Sequence, residues 1–357
     1  MKFPTQTAPL PEAQNSVRRV MLIVLLALMP GTLVAIALLG WGVLINIMLA
    51  IAAGLLAEAL MLKIRARSVR PAIYDGSVVV LAWIFALCLP NLGPWWLPVF
   101  GAIFAVVVAK QLYGGLGFNL FNPAMVGYVV LLISFPEPMT RWGPAIDVGG
   151  GALNFMQSLA WSFNGVLPSG VGYDGLSVAT PLDHVREQLT AGAPIHNATL
   201  SLFNSGHLLQ AWNLWLGLAF LAGGLLMLWR GVIRWHIPVA VITGVLVMSG
   251  FLWLLDSAKH ASPLFHLLTG ATIFGAFFVA TDPVTASTTP RGRLIFGFGI
   301  GVLTVLIRSF GSYPDGVAFA VLLMNLSVPL IDYYTQPKVF GHKQGKLQPN
   351  GAGEGGK

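Results

Sequence analysis

Charge is what this chain has least of. Its 357 residues include 20 Lys or Arg and 13 Asp or Glu, 9% in all, where soluble domains carry about 25%. So few charges cannot clothe a water-facing surface of that extent, which excludes a soluble globular enzyme. Cysteine is nearly absent as well. Cys88 alone allows no internal disulfide, no Cys₄ zinc site and no iron–sulfur cluster held by this chain by itself. The seven histidines fall at no spacing typical of metal ligands. The net charge of +7 would suit a nucleic-acid surface, but the basic residues stand at the ends of apolar runs, where they mark membrane topology. No nucleic-acid partner is expected.

Apolar residues, by contrast, make up 56% of the chain. Crossing about 30 Å of hydrocarbon takes roughly 17–25 residues, fewer where a helix is broken. Ten runs qualify, near 20–40, 42–62, 76–92, 95–110, 120–135, 211–229, 235–255, 264–281, 293–309 and 315–333. Gly40-Trp41-Gly42 supplies the turn between the first two. The predicted fold is an all-α integral membrane protein of about ten transmembrane helices. Sixteen basic residues, among them Arg18, Lys63, Arg65, Lys110, Arg234 and Lys343, fall on one side, and only Lys259 and Arg308 in the opposite short loops. Positive charge stays inside, so both termini are expected in the cytoplasm and the protein in a bacterial inner membrane.

The predicted organisation is a cytoplasmic tail over 1–17, five spans over 18–135, a periplasmic segment over 136–210, five spans over 211–335 and a basic cytoplasmic tail over 336–357. Because five is odd, the second set enters the membrane in the opposite sense, which is the arithmetic of a 5+5 inverted repeat. A long insertion with no span of its own is uncommon unless it has a job. It carries two short amphipathic pieces near 152–161 and 181–190.

Asp174-Gly175-Leu176-Ser177-Val178-Ala179-Thr180-Pro181 is the most informative stretch of that insertion. Thr180 precedes a proline, which pushes its backbone into an extended conformation. Pro181 suits the first position of a helix, Thr180 its N-cap, and Asp183 completes an imperfect capping box. On local pattern alone Thr180 is first a helix cap. A helix N-terminus also favours a phosphate. On the cytoplasmic side, Asn122-Pro123-Ala124 opens span five and Thr281-Asp282-Pro283 closes span eight, as helix-boundary punctuation or as part of a ligand or ion site. Glu58, one turn before Lys63, is expected to snorkel and pair at the interface. Asn46 and Asn325 read as interhelical glue, and Cys88 as packing.

Asp-x-x-Ser/Thr-x-Ala-Thr, in an external loop of a ten-span protein, resembles the site at which a flavin transferase esterifies a threonine to the phosphate of FMN. The families with this site in this setting are RnfD, a membrane component of the Rnf complex, and its relative NqrB, from the sodium-translocating NADH:quinone reductase. The likeness extends to the Phe118–Ala124 and Thr281–Ala286 stretches. Val178 stands where glycine is usual; Asp174, Ser177, Ala179 and Thr180 keep the pattern. The quinone-reductase component has a longer N-terminal extension, whereas 17 residues precede Arg18 here, so the match is better to RnfD.

The resemblance implies covalent FMN on Thr180, and a second, non-covalent flavin (riboflavin or FMN) or an ion path for which Asn122, Thr281 and Asp282 are candidates. It implies other membrane subunits, a periplasmic flavin subunit and a cytoplasmic NAD-binding subunit as partners, and a flavin transferase for maturation. The complex would couple electron transfer between ferredoxin and NAD to movement of sodium ions or protons. No cluster or Rossmann-type site is recognised in this chain, so it is not catalytically complete alone. The rival reading is an inverted-repeat solute channel of the urea-permease kind, which explains the spans but not Asp174–Thr180.

Overall fold

A computed structural model of the chain describes residues 17–143, 153–166, 179–192, 195, 212–311, 313 and 315–336. Among them all regular structure is helical. The first half opens with α1 (Val17–Leu39) and α2 (Gly42–Ile64), each of 23 residues, or about 35 Å at 1.5 Å per residue. Their turn needs glycine twice. Gly40 has φ 87, a left-handed conformation that costs a residue with a Cβ. A Cβ at Gly42 would lie 1.8 Å from the Asn91 carbonyl oxygen. Next come α3 (Val69–Tyr74), α4 (Ser77–Leu87), α5 (Trp96–Phe104), which continues as a π-helical turn over Ala105–Gln111, α6 (Pro123–Ser134) and the single turn α7 (Pro136–Met139).

The run expected to span 76–92 is helical only over Ser77–Leu87. Pro90 and Pro94 end regular winding, and the irregular backbone that follows has its polar groups met inside the protein. Asn46 Nδ2 donates to the Pro90 carbonyl at 3.0 Å, and Asn91 Nδ2 to the Leu39 carbonyl at 2.6 Å. Gly143 N donates to Asn91 Oδ1 at 2.8 Å. Non-helical backbone survives at membrane depth only on such terms.

The second half comprises α10 (Trp212–Trp229), α11 (His236–Leu255), α12 (Pro263–Leu268), α13 (Thr272–Phe274) with a π-helical turn over Gly275–Val279, α14 (Pro290–Phe310) and α15 (Val317–Thr335). The run near 264–281 is therefore a broken helix, with Gly270 at φ 66 in the break. Among the described residues five helices are long and apolar enough to cross a bilayer. Four shorter apolar ones lie over Ser77–Leu87, Trp96–Gln111, Pro123–Ser134 and Leu214–Trp229. With the broken helix these account for the ten runs.

Packing is alike in the two halves. Within the halves, α2 packs on α4 and α5, and α11 on α12 and α14. Between them, α1 packs on α10 and α6 on α15, so the first helix of each half meets its counterpart and the last meets the last. The burial pattern is inverted relative to a soluble protein. Leu33, Leu56 and Leu254 are exposed while Asn46, Glu58, Lys110 and Asn325 are buried, because lipid solvates the first set and only protein partners can solvate the second.

Two sequence expectations need correction. Glu58 does not snorkel toward Lys63: it is 1% exposed and pairs with Lys110 at 2.8 Å. Lys110 accordingly is no loop marker of topology. Arg308, counted as an external loop charge, lies at the end of α14 with its side chain 1% exposed, paired with Asp315 at 3.0 Å. In both cases burial is tolerated because a carboxylate from another segment meets the cation.

Within the inserted segment the described helices are α8 (Phe155–Asn164) and α9 (Pro181–Thr190). Helix α8 covers the first half: Trp161 Nε1 donates to the Leu92 carbonyl at 2.9 Å, Ser162 Oγ to the Gly93 carbonyl at 3.2 Å, and Phe155 meets the Trp41 ring edge-on. Helix α9 covers the second, where Leu182 and Val185 pack with Ala261 and Phe265, and an Arg186 guanidinium N–H donates to the Gly311 carbonyl. The insertion thus docks one helix on the loops of each half.

Candidate functional site

Thr180 is held where local chemistry put it. Its backbone is extended at φ −63, ψ 157 as the residue before Pro181 requires, and it is the N-cap of α9. Asp183 N donates to Thr180 Oγ1 at 3.2 Å, and Thr180 Oγ1 donates to Asp183 Oδ2 at 2.5 Å. Burial pushes the Asp183 carboxyl above its ordinary value, and hydrogen bonds donated by the Thr180 hydroxyl and backbone N–H, with the charge of Arg186, pull against that. Ala179 is exposed and Thr180 half-buried. Of the remaining motif residues, Asp174 and Ser177 lie outside the described residues.

A phosphate on Thr180 Oγ fits this position in two respects. Thr180 is half-buried beside an exposed residue, and it sits at a helix N-terminus, where backbone amides and the helix dipole favour an anion. Esterification would take the hydroxyl proton from Asp183 while leaving Oγ able to accept from the Asp183 amide. Sequence pattern located the cap; it did not show that Asp183 accepts from the hydroxyl, although an acidic side chain at the third helical position was the available signal.

Asn122, Thr281 and Asp282 are brought together with Asn325 at the opposite end of the helices. Asn122 Oδ1 caps α6 by accepting from Ala124 N at 3.0 Å and Met125 N at 3.3 Å, while its Nδ2 donates to the Val279 carbonyl at 3.2 Å. Asn122 N donates to Asn325 Oδ1 at 3.1 Å, and Asn325 Nδ2 to the Thr285 carbonyl at 3.1 Å. Thr281 Oγ1 donates to the Phe277 carbonyl at 2.6 Å, and Thr285 Oγ1 to Asp282 Oδ2 at 2.9 Å. The two motifs therefore form a junction between the halves, with Asn122 and Asn325 engaged in closing it. Gly114, Gly115 and Gly117 beside it all have positive φ. Among the described residues no group of three metal-ligating side chains gathers.

Sequence reasoning passed over the buried polar cluster of the first half. Lys110 Nζ donates to Glu58 Oε1 and to Ser77 Oγ, both at 2.8 Å, and Gln111 Nε2 donates to the same Oε1 at 2.8 Å. Charges inside apolar runs were the signal.

These elements define a multi-pass helical membrane protein with two similarly packed halves, a helix broken at Gly270, and a helix docked on the second half's loops with a threonine as its N-cap. The NQR2, RnfD, RnfE family model matches residues 4–341, and the chain belongs to that family. It is 50% identical to the D subunit of the ion-translocating oxidoreductase complex of Yersinia pseudotuberculosis serotype O:1b, over 95% of this chain and 98% of the relative. It is 49% identical to the proteins of that name from Shigella dysenteriae serotype 1 and Escherichia coli strain SE11, over 97% of this chain and all of each relative.

Proposed function

We propose that the chain is the flavin-bearing membrane subunit of an Rnf-type ion-translocating oxidoreductase complex, with FMN esterified through its phosphate to Thr180. The complex would couple electron transfer between ferredoxin and NAD to movement of sodium ions or protons. The carrying observation is the Thr180 hydroxyl at the N-cap of a helix seated on the second half's loops. When bound, FMN supplies a one-electron carrier that cannot diffuse away. Thr180 fixes it, and the amide end of α9 compensates its phosphate charge. The family match and the relatives from ion-translocating oxidoreductase complexes support membership of such a complex.

In this reading the protein lies in a bacterial inner membrane with both termini cytoplasmic and Thr180 in the periplasm. It meets other membrane subunits, a periplasmic flavin subunit and a cytoplasmic NAD-binding subunit, and needs a flavin transferase to mature. Of the candidates for a second, non-covalent flavin or an ion path, Asn122 is engaged in joining the halves, while the polar contacts of Thr281 and Asp282 stay within the second half.

The test is in-gel flavin fluorescence of the denatured protein, made in a host with the flavin transferase, beside Thr180→Ala. A fluorescent wild-type band and a dark variant are expected. A dark wild-type band would return Thr180 to the role of helix cap.

A further inference from the structure

The cluster around Glu58 is not balanced. Oε1 receives two donors, Lys110 Nζ and Gln111 Nε2, each at 2.8 Å. Oε2 is buried and receives none. A carboxylate oxygen sealed from water without a donor is among the costlier arrangements a protein can keep, and ionisable groups inside a membrane domain mark ion or proton routes more often than structure. The side chains are deep, Lys110 at 3% and Glu58 at 2% exposure, yet they are connected outward. Arg65 NH1, half-buried, donates to both the carbonyl and Oε1 of Gln111 at 3.0 Å. On the far side, Ser77 takes Lys110 Nζ on its hydroxyl and donates its amide to Asp75 Oδ1 at 2.7 Å. A polar chain therefore runs from Arg65 through Gln111, Glu58, Lys110 and Ser77 to Asp75.

The backbone adds a second mark. Lys110 and Gln111 are the last two residues of a π-helical turn, and such turns recur at functional sites. The wider winding here lets neighbouring side chains converge on one carboxylate oxygen.

We propose that Glu58 is an exchangeable site for a monovalent cation, a proton or a partly dehydrated sodium ion, which is taken on Oε2. Lys110 is the resident counter-charge. When a cation arrives, the ammonium yields its hold on Oε1 and keeps Ser77; when the cation leaves, the ammonium returns. The net charge of the pair in the empty state is zero, so the site can stay dry between occupancies. This rests on reading the chain as part of an ion-translocating complex.

The experiment uses the whole complex in sealed membrane vesicles, with ferredoxin-driven NAD reduction and ion uptake followed together. Uptake is read by radioactive sodium in one arm and by a pH-gradient dye in sodium-free buffer in the other. Glu58→Gln is expected to cut ions moved per electron at least tenfold in the arm that responds in the wild type, while electron transfer continues and no longer responds to an ionophore. Glu58→Asp should restore part of the uptake. Because a single charge change can prevent assembly, Glu58→Gln with Lys110→Met, which removes both charges, is measured too. Electron transfer without ion uptake in the assembled double variant supports the site. Wild-type ion uptake in either Glu58→Gln or the double variant overturns it and leaves the pair as packing. A wild-type complex that reduces NAD but moves no ion in either arm would instead defeat the functional reading on which the site depends.

Discussion

Each half of the membrane region buries one basic side chain where its fourth span ends, and the two are used differently. In the second half Arg308 bonds to Asp315 and to the His266 and Thr269 carbonyls at 2.7 and 3.4 Å. Its five donors suit a break in a helix, because freed carbonyls and a carboxylate can be served at once. In the first half Lys110 meets Glu58 and Ser77 instead, and its partner carboxylate has an idle oxygen. Asp315 is also 23% exposed against 2% for Glu58. The difference teaches that one cation closes the structure while the other leaves something open.

Single removals should cost most. Lys110→Met leaves the buried Glu58 carboxylate with Gln111 alone, and Arg308→Met takes the cation from Asp315 and the donors from two carbonyls; each is expected to destabilise by about 3–5 kcal/mol, read as thermal unfolding in detergent. The second substitution separates the halves. Adding Glu58→Gln to Lys110→Met should recover most of the loss. Adding Asp315→Asn to Arg308→Met should not, because the His266 and Thr269 carbonyls still lack donors, at about 1–3 kcal/mol each. Equal recovery in both halves would erase the distinction.

A smaller contrast lies in the glycines. A Cβ at Gly301 would sit 2.3 Å from the Val241 carbonyl oxygen and 2.7 Å from Val245 N, whereas at Gly54 the nearest atom is Val78 Cγ1 at 3.1 Å. Helices α11 and α14 touch backbone to backbone; α2 meets α4 through a side chain that can move. Gly301→Ala is expected to cost about 1–3 kcal/mol and Gly54→Ala less than about 1 kcal/mol, measured by the same melts. Similar costs would show that both crossings are equally rigid.

The smallest effect concerns α9. The Asp183 carboxyl is raised in the folded protein, chiefly by burial. A raised folded value means that α9 is most stable below the ordinary carboxylate range, near pH 4, and loses that share as pH climbs through the folded value. Amide-exchange protection of residues 182–186, corrected for intrinsic rates, should fall over that interval and become flat in Asp183→Asn. An unchanged slope in the variant would assign the effect to another group.

Much of the frame was legible because hydropathy and punctuation are local. The ten runs, the Gly40-Trp41-Gly42 turn and the caps at Asn122 and Thr180 follow from residues within a few positions of one another. The role of Asn46 as glue also stands, through the Pro90 carbonyl. What escaped was whatever depends on distant partners. Lys110 is 52 residues from Glu58, and at the end of an apolar run it looks like any topology marker. The break at Gly270 hides in an unbroken apolar stretch because its compensation comes from Arg308 and Asp315. The π-helical turns give no sequence periodicity of their own. At Thr180 the pattern revealed the cap, while the docking of α9 on Ala261 and Phe265 needed the fold.

The seams between the halves carry a consequence for how anything could move through this protein. A Cβ at Gly223 of α10 would lie 1.9 Å from the Ala27 carbonyl oxygen of α1, and one at Gly31 would lie 2.2 Å from the Phe220 ring. At the other seam Asn122 is bonded to Asn325. Rocking of one half past the other as a rigid body would have to break these contacts. A passage in which single side chains swing within one half and hand charge from one to the next would leave both seams intact.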